Sequence, residues 1–160
     1  MTIEKGSRVV HLVEVIGYEI STKGRYAIRV MLDLAQQDPK AYTSVASIAQ
    51  RQEISVKYLE MIISILNKGG YLRSQMGKKG GYQLSKSAQE YTVGEILRLT
   101  EGSLAPVSCL ECEEEVCSRS KTCLTLPMWK ELDRRIGEYL DSVTLADLLK
   151  IKYPIDTVGY

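Results

Sequence analysis

Histidine is almost missing from this chain: His11 is the only one among 160 residues. It lies far from every cysteine and reads as a surface residue rather than a ligand. Nothing in the sequence resembles a hydrolase triad, a P-loop or a GxGxxG turn, so an enzyme is not expected. Long apolar runs are missing too. No stretch reaches the length of about 18 apolar residues that a membrane-spanning helix needs, so no membrane partner is expected. The fairly apolar stretch Val9–Ile16 is interrupted by His11 and Glu14, and no small-residue cleavage site follows it. A signal peptide is therefore not expected, and the chain reads as cytoplasmic. Cysteine is scarce, and all four (Cys109, Cys112, Cys117 and Cys123) fall in one short segment.

What is present is unevenly distributed. The net charge of +1 hides a basic half and an acidic half. Residues 21–86 carry eleven Lys/Arg against four Asp/Glu, whereas residues 87–160 carry eight against thirteen. A basic unit of net +7 joined to an acidic unit of net −5 suggests a polyanion-binding module carrying something else. With 44% hydrophobic residues the chain can bury one real core, one domain plus an appendage.

Periodicity gives the elements. Ala27, Val30, Met31, Leu34 and Ala35 mark one face of a helix over residues 22–37, with Thr22 as N-cap and Asp38-Pro39 as its end. A short helix follows over residues 44–51, then the turn Gln52-Glu53-Ile54. A third helix starts at N-cap Ser55 and runs to Lys68, where Gly69-Gly70 closes it. Its inward face is Val56, Leu59, Ile62, Ile63 and Leu66; its outward face is Lys57, Tyr58, Glu60, Met61 and Ser64. A short helix, a tight turn and a longer helix with a polar outer face form a helix-turn-helix pattern. Residues 71–76 and 82–84 read as two strands around Gly77-Lys78-Lys79-Gly80-Gly81, a hairpin that turns the motif into a winged helix. Two lysines among three glycines let the backbone and its charges approach a phosphate.

A further helix runs from Thr92 to Glu101, with Val93, Ile96, Leu97 and Thr100 on one side. After the cysteine segment, Pro127 at a first helical position opens a long helix. Trp129, Leu132, Ile136, Tyr139 and Val143 step by three and four residues, as a coiled-coil seam of two heptads does. Two readings stand: a helix packed on its own domain, or a seam with a second copy of the chain, the latter favoured because the domain ahead already has a complete core. Residues 142–150 read as one more short helix.

The cysteines are spaced C-x2-C-x4-C-x5-C among glutamates and a few basic residues. Thiolates bind soft and borderline metals, and four in one short loop can close a site at small entropic cost. Three readings stand side by side: an iron–sulfur cluster, structural zinc, or a thiol–disulfide switch.

The stretches STKGRYAIRVMLDLA, SIAQRQEISVKYLEMIISILNKGGYLRSQMGKKGGYQL, TVGEILRLTEG and CLTLPMWKEL resemble the IscR-like winged-helix regulators. That family includes iron–sulfur assembly, nitric-oxide-sensing and cysteine-metabolism repressors. The resemblance covers residues 19–150, and its I-x-x-x-Y-L-E and G-x-x-G-G-Y elements are specific in combination. It implies a mainly α fold with a small β-hairpin wing: residues 19–88 as winged helix-turn-helix, 89–106 as connecting helix and 107–126 as cysteine-rich sensor loop. Residues 127–150 would hold the dimerisation helix and a short C-terminal helix, ahead of a tail over 151–160. Residues 1–18 precede the family's usual start, either as an extension or as a start codon assigned too early.

The resemblance further implies a homodimer on a palindromic duplex DNA operator, with the third helix in the major groove and the wing in the minor groove. The candidate DNA-contacting set is Lys23, Arg25, Ser44, Ser55, Lys57, Tyr58, Glu60, Arg73, Lys78, Lys79, Gly80 and Gly81. In cluster-binding members, three loop cysteines hold a 2Fe–2S or 4Fe–4S cluster, and Cys112, Cys117 and Cys123 match them. This chain departs from the pattern at three places. The histidine that some members place after the last cysteine is Leu126, the acidic ligand of the first helix is Arg25, and the wing arginine of many members is Met76. Cys109 is the candidate fourth ligand. The leading expectation is a repressor sensing iron–sulfur, redox or nitric-oxide status through the loop. One alternative is a cluster-free sulfur-metabolism repressor working by thiol state or through a cysteine-metabolism enzyme. The other is a zinc-stabilised protein-interaction module.

Overall fold

The computed structural model describes residues 19–111 and 117–151; the N-terminal extension with His11, the segment 112–116 and the tail from residue 152 lie outside the described residues. Helix α1 spans Thr22–Ala35. Its N-cap is Ser21, not Thr22: the Ser21 hydroxyl accepts from the Gly24 amide, and Thr22 is already helical. The helix also stops short of the expected Gln37. Its end tightens as Gln36 and Gln37 donate to the Asp33 and Leu34 carbonyls, i to i−3, each at 3.2 Å.

Helix α2 (Val45–Gln52) is capped by Ser44, and α3 (Val56–Lys68) by Ser55. Between them Glu53 adopts the left-handed conformation at φ 54°, and both its amide and that of Ile54 return to the Ala49 carbonyl. Ile54 is buried, which plugs the turn into the core. Leu59, Ile62, Ile63 and Leu66 of α3 pack with Val30, Met31 and Ile48, so the expected stripe is the core face. Val56, expected inward, is exposed in the first turn ahead of that stripe. Tyr58, expected outward, is half-buried because its ring packs edge-on against Tyr26 at 5.9 Å.

Strands β1 (Leu72–Gln75) and β2 (Gly81–Leu84) form an antiparallel hairpin, Leu72 opposite Leu84 and Gln75 opposite Gly81. Buried Tyr91 fastens its base: its hydroxyl donates to the Tyr71 carbonyl and accepts from the Lys86 amide, both at 2.9 Å. Helix α4 (Val93–Glu101) then packs across α1, with Thr92 as N-cap in a capping box with Glu95. Helix α5 (Leu126–Ser142) and helix α6 (Leu145–Lys150) complete the described chain. Leu145 is fully buried and closes the core from the far end of the sequence. Val143, assigned to the α5 seam, is instead its C-cap in extended conformation. Its carbonyl accepts from the Val93 amide at 2.8 Å, so that stretch follows α4 rather than continuing the helix.

Candidate nucleic-acid interface

Three elements converge on one face: the N-terminus of α2, the loop before it and the tip of the wing. They enclose an open groove of about 710 Å³ whose lining includes Lys40, Ser44, Arg51, Lys78, Lys79 and Gly80. Asp38 is the one carboxylate in that lining. The Ser44 hydroxyl, 2.8 Å from that of Ser47, faces the groove at the start of α2, where helix amides favour an anion.

The wing is stitched to this site through backbone. Thr43 and Tyr82 exchange both amide–carbonyl bonds at 2.9 Å, a single antiparallel bridge on the free edge of β2. This explains two of the glycines. A Cβ on Gly81 would stand 2.2 Å from the Thr43 carbonyl oxygen, and one on Gly80 would stand 2.2 Å from that of Gln75. Gly80 and Gly81 therefore serve the chain's own close approaches, a reason the sequence pattern did not reveal. The lysines are left at the tip: Lys78, Lys79 and Arg73 are exposed, and Met76 beside them is 94% exposed.

Helix α3 offers Ser55, Lys57 and Glu60 as exposed side chains, Ser55 already engaged as the N-cap. Tyr58 is oriented from behind by Tyr26, over whose ring the Arg29 guanidinium lies at 5.0 Å. Arg29 also donates to the Gln52 side chain (3.1 Å) and carbonyl (2.7 Å). Next to it, buried Asp33 of α1 accepts from Arg51 Nε at 2.9 Å, Arg51 Nη2 at 2.7 Å and Gln52 Nε2 at 2.9 Å. This network ties α2 to α1 and fixes the helix-turn-helix on its scaffold. Sequence spacing missed it, since a charged residue on an apolar stripe signals only when its partner is known. Lys23 and Arg25 sit in the first turn of α1, where Arg25 donates to Thr22. They are outside the groove between wing and α2.

Cys109 lies exposed in a 3₁₀ turn over Ser108–Leu110, and Cys117 is also exposed. Cys123 is half-buried, just ahead of α5. Its thiol is held below its usual range, first by the Thr125 hydroxyl at 3.3 Å, then by the amides of Thr125 and Leu126 and by Arg119. All three are free thiols. Among the described residues no three potential ligands are gathered around one point, and Cys112 lies outside those residues. The donor set, soft thiolates with one already biased toward the anion, suits an iron–sulfur cluster or zinc.

Helix α5 carries no buried residue. Leu132 and Tyr139 are 40% and 69% exposed, with Trp129 and Ile136 half-covered beside them. Its polar flank is organised within the helix: Arg134 pairs with Glu131 and Glu138, and Arg135 with Glu131, which lowers the Glu131 carboxyl to about 2. Among the described residues no helix is long and apolar enough to cross a membrane.

Comparison with known proteins agrees with this geometry. The Rrf2 family, described as an iron-dependent transcriptional regulator, matches residues 20–151. The chain is similar to Protein rrf2 of Nitratidesulfovibrio vulgaris, 42% identical over 82% of this chain and 87% of that protein. It is also similar to the HTH-type transcriptional regulator IscR of Pectobacterium carotovorum, 37% identical over 86% of this chain and 82% of that one. Among solved structures, CymR, the global cysteine regulator of B. subtilis, superposes with a TM-score of 0.68 at 38% identity, covering 84% of this chain and 98% of that one. IscR of T. potens superposes with a TM-score of 0.67 at 34% identity, covering 89% and 93%.

Proposed function

The chain belongs to the Rrf2 family of transcriptional regulators, and from that premise we propose that it represses transcription as a homodimer whose operator affinity follows the state of the Cys109–Cys123 loop. It is a DNA-binding regulator rather than an enzyme. In this reading Lys57, Tyr58 and Glu60 of α3 face base edges in the major groove of a palindromic site. Arg73, Lys78 and Lys79 hold the flanking phosphates together with Ser44 at the N-terminus of α2. The carrying observation is the groove between wing and α2, where three lysines and an arginine surround a single carboxylate. Lys23 and Arg25 at the start of α1 extend the same basic half.

The dimer is argued from α5. An amphipathic helix with no buried residue needs a partner, and a second copy supplies the matching face through Trp129, Leu132, Ile136 and Tyr139. Val143, past the helix end, would join only at the margin of such a seam.

For sensing, Cys112, Cys117 and Cys123 are the proposed ligands of a 2Fe–2S or 4Fe–4S cluster, with Cys109 as the fourth. When bound, such a cluster would supply an oxidisable, nitric-oxide-reactive centre; the chain's part is to present the thiolates. A second reading is favoured by the depressed Cys123 thiol and the likeness to CymR: a cluster-free regulator that responds through thiol state or a cysteine-metabolism enzyme. Anaerobic purification with iron, sulfide and zinc analysis separates these. Cluster protein is brown and holds iron and sulfide, zinc protein is colourless, and the cluster-free regulator holds neither metal. Selection from a random duplex library by the same sample tests the operator: a palindromic consensus is expected, and recovery of unrelated sequences overturns the DNA assignment.

A further inference from the structure

Among the described residues, hydrogen bonds join α5 and its C-terminal end to the winged-helix body at two places. The first is backbone: the Val93 amide donates to the Val143 carbonyl at 2.8 Å and the Leu145 amide to the Tyr91 carbonyl at 3.0 Å, an antiparallel bridge of Thr92 with Thr144. The second is a side-chain fork. Arg98 Nη1 and Nη2 donate to Asp141 Oδ1 and Oδ2, both at 2.7 Å. The fork has a seat, because Gly94 lies beneath it. A Cβ there would stand 2.0 Å from Asp141 Oδ1 and 3.1 Å from Arg98 Nη1, so any side chain would displace the carboxylate. One attachment alone is a pivot. Two attachments fix a direction.

We propose that Arg98 and Asp141, seated on Gly94, are positioning residues that set the separation of the two recognition helices and thereby the half-site spacing the dimer accepts. The inference rests on the dimeric operator-binding reading above. From Asp141 back to Leu126, α5 runs 15 residue steps. At about 1.5 Å per residue that is about 22 Å, so a swing of about 10° around the Thr92–Thr144 bridge moves a point at that distance by about 4 Å. The rise per base pair is about 3.4 Å. With the seam held in the dimer, the winged helices take up the swing, and loss of the fork blurs the spacing by about one base pair. Both side chains are nearly half exposed, at 43% and 45%, so the pair adds little to folding stability and its loss leaves the core intact. Its bidentate geometry makes it directional, which a lysine at residue 98 could not reproduce.

The test uses the full chain. The wild-type protein selects a palindrome from a random duplex library, and that duplex is then remade with one base pair added or removed between the half-sites. Wild type should lose about tenfold or more in affinity on either altered duplex, a loss the size of a mismatched site. Arg98→Gln, Asp141→Asn and Arg98→Lys should each bind the three duplexes within about threefold of one another, while sedimentation shows an intact dimer. Variants that keep the wild-type spacing preference overturn the inference. A wild-type protein that selects no palindrome overturns the dimeric reading beneath it, a result distinguishable because it precedes any variant.

Discussion

Asp33 illustrates what one residue can do in a fold of this size. It is a carboxylate on the buried stripe of α1, almost wholly covered, and it receives three hydrogen bonds from α2. Arg51 keeps 39% of its side chain in solvent, whereas the Asp33 side chain keeps 3%. Removing the two partners is therefore not equivalent. Arg51→Ala leaves a buried charge facing only Gln52 and should cost about 2–4 kcal/mol, whereas Asp33→Asn leaves an arginine that water can reach and should cost about 1–2 kcal/mol. Urea unfolding of both variants checks the order, and equal costs would mean that Asp33 finds solvent when Arg51 is gone. Single residues were partly legible in the sequence. The hydroxyl cap at Ser55 was, since serine ahead of an apolar stripe has few other local roles, whereas Ser44, read as the first helical residue, is the cap of α2. Ser21 was confused with Thr22 because adjacent hydroxyls offer the same chemistry, and only backbone conformation separates them. Tyr58, read as outward, is half-buried because its orientation comes from Tyr26, on another helix.

Elements were easier to read than their attachments. The helix-turn-helix and wing were visible as a change from helical to alternating period, with glycines at the turn. That the wing is bonded to Thr43 was not visible, because a single bridge leaves no periodicity. The arrangement leaves Lys78 and Lys79 exposed at the tip with no described salt-bridge partner. Changing both to Ala should weaken binding to every duplex alike and flatten the log–log salt dependence by about four, two lysines from each protomer of the dimer. Fluorescence anisotropy across a salt series measures this, and an unaltered slope would remove the wing from the interface. The seam of α5 was legible as a three–four repeat, but its end was not. Val143 fits the repeat, yet the chain has already turned to bridge with α4. Leu132→Glu with Ile136→Glu puts two carboxylates in the proposed pairing of helices. The dimer should dissociate at a cost of several kcal/mol, while the monomer keeps its fold because α5 contributes no buried residue to it. Sedimentation showing a stable dimer for the double variant would move the interface elsewhere.

For the whole molecule, charge and fold divide at nearly the same place. The basic half holds α1 to the wing, and the acidic half holds α4, the cysteine segment, α5 and α6, reaching the core through Tyr91, Ile96 and Leu145. The sensor is the part least legible in the sequence, because spacing of four thiols is compatible with several metals and with none. The structure adds the free state of Cys109, Cys117 and Cys123 and the anion-favouring surroundings of Cys123. Direct coordination makes ligands separable from bystanders, since losing one thiolate from a cysteine-only site removes most of the binding, whereas losing a bystander removes little. Changing Cys112, Cys117 or Cys123 to Ser should abolish or severely reduce visible absorbance and iron content. Cys109→Ser should have an intermediate effect, because Cys109 is the proposed substitute for the family ligands replaced here by Leu126 and Arg25. The same variants should lose the response of DNA binding to oxygen or nitric oxide, yet keep their fold, since none of the three described thiols belongs to the core. Anaerobic protein from iron-replete cells that carries stoichiometric zinc and no iron would refute the cluster. A quadruple serine variant that still regulates its operator normally would remove the loop from sensing altogether, whatever metal it holds.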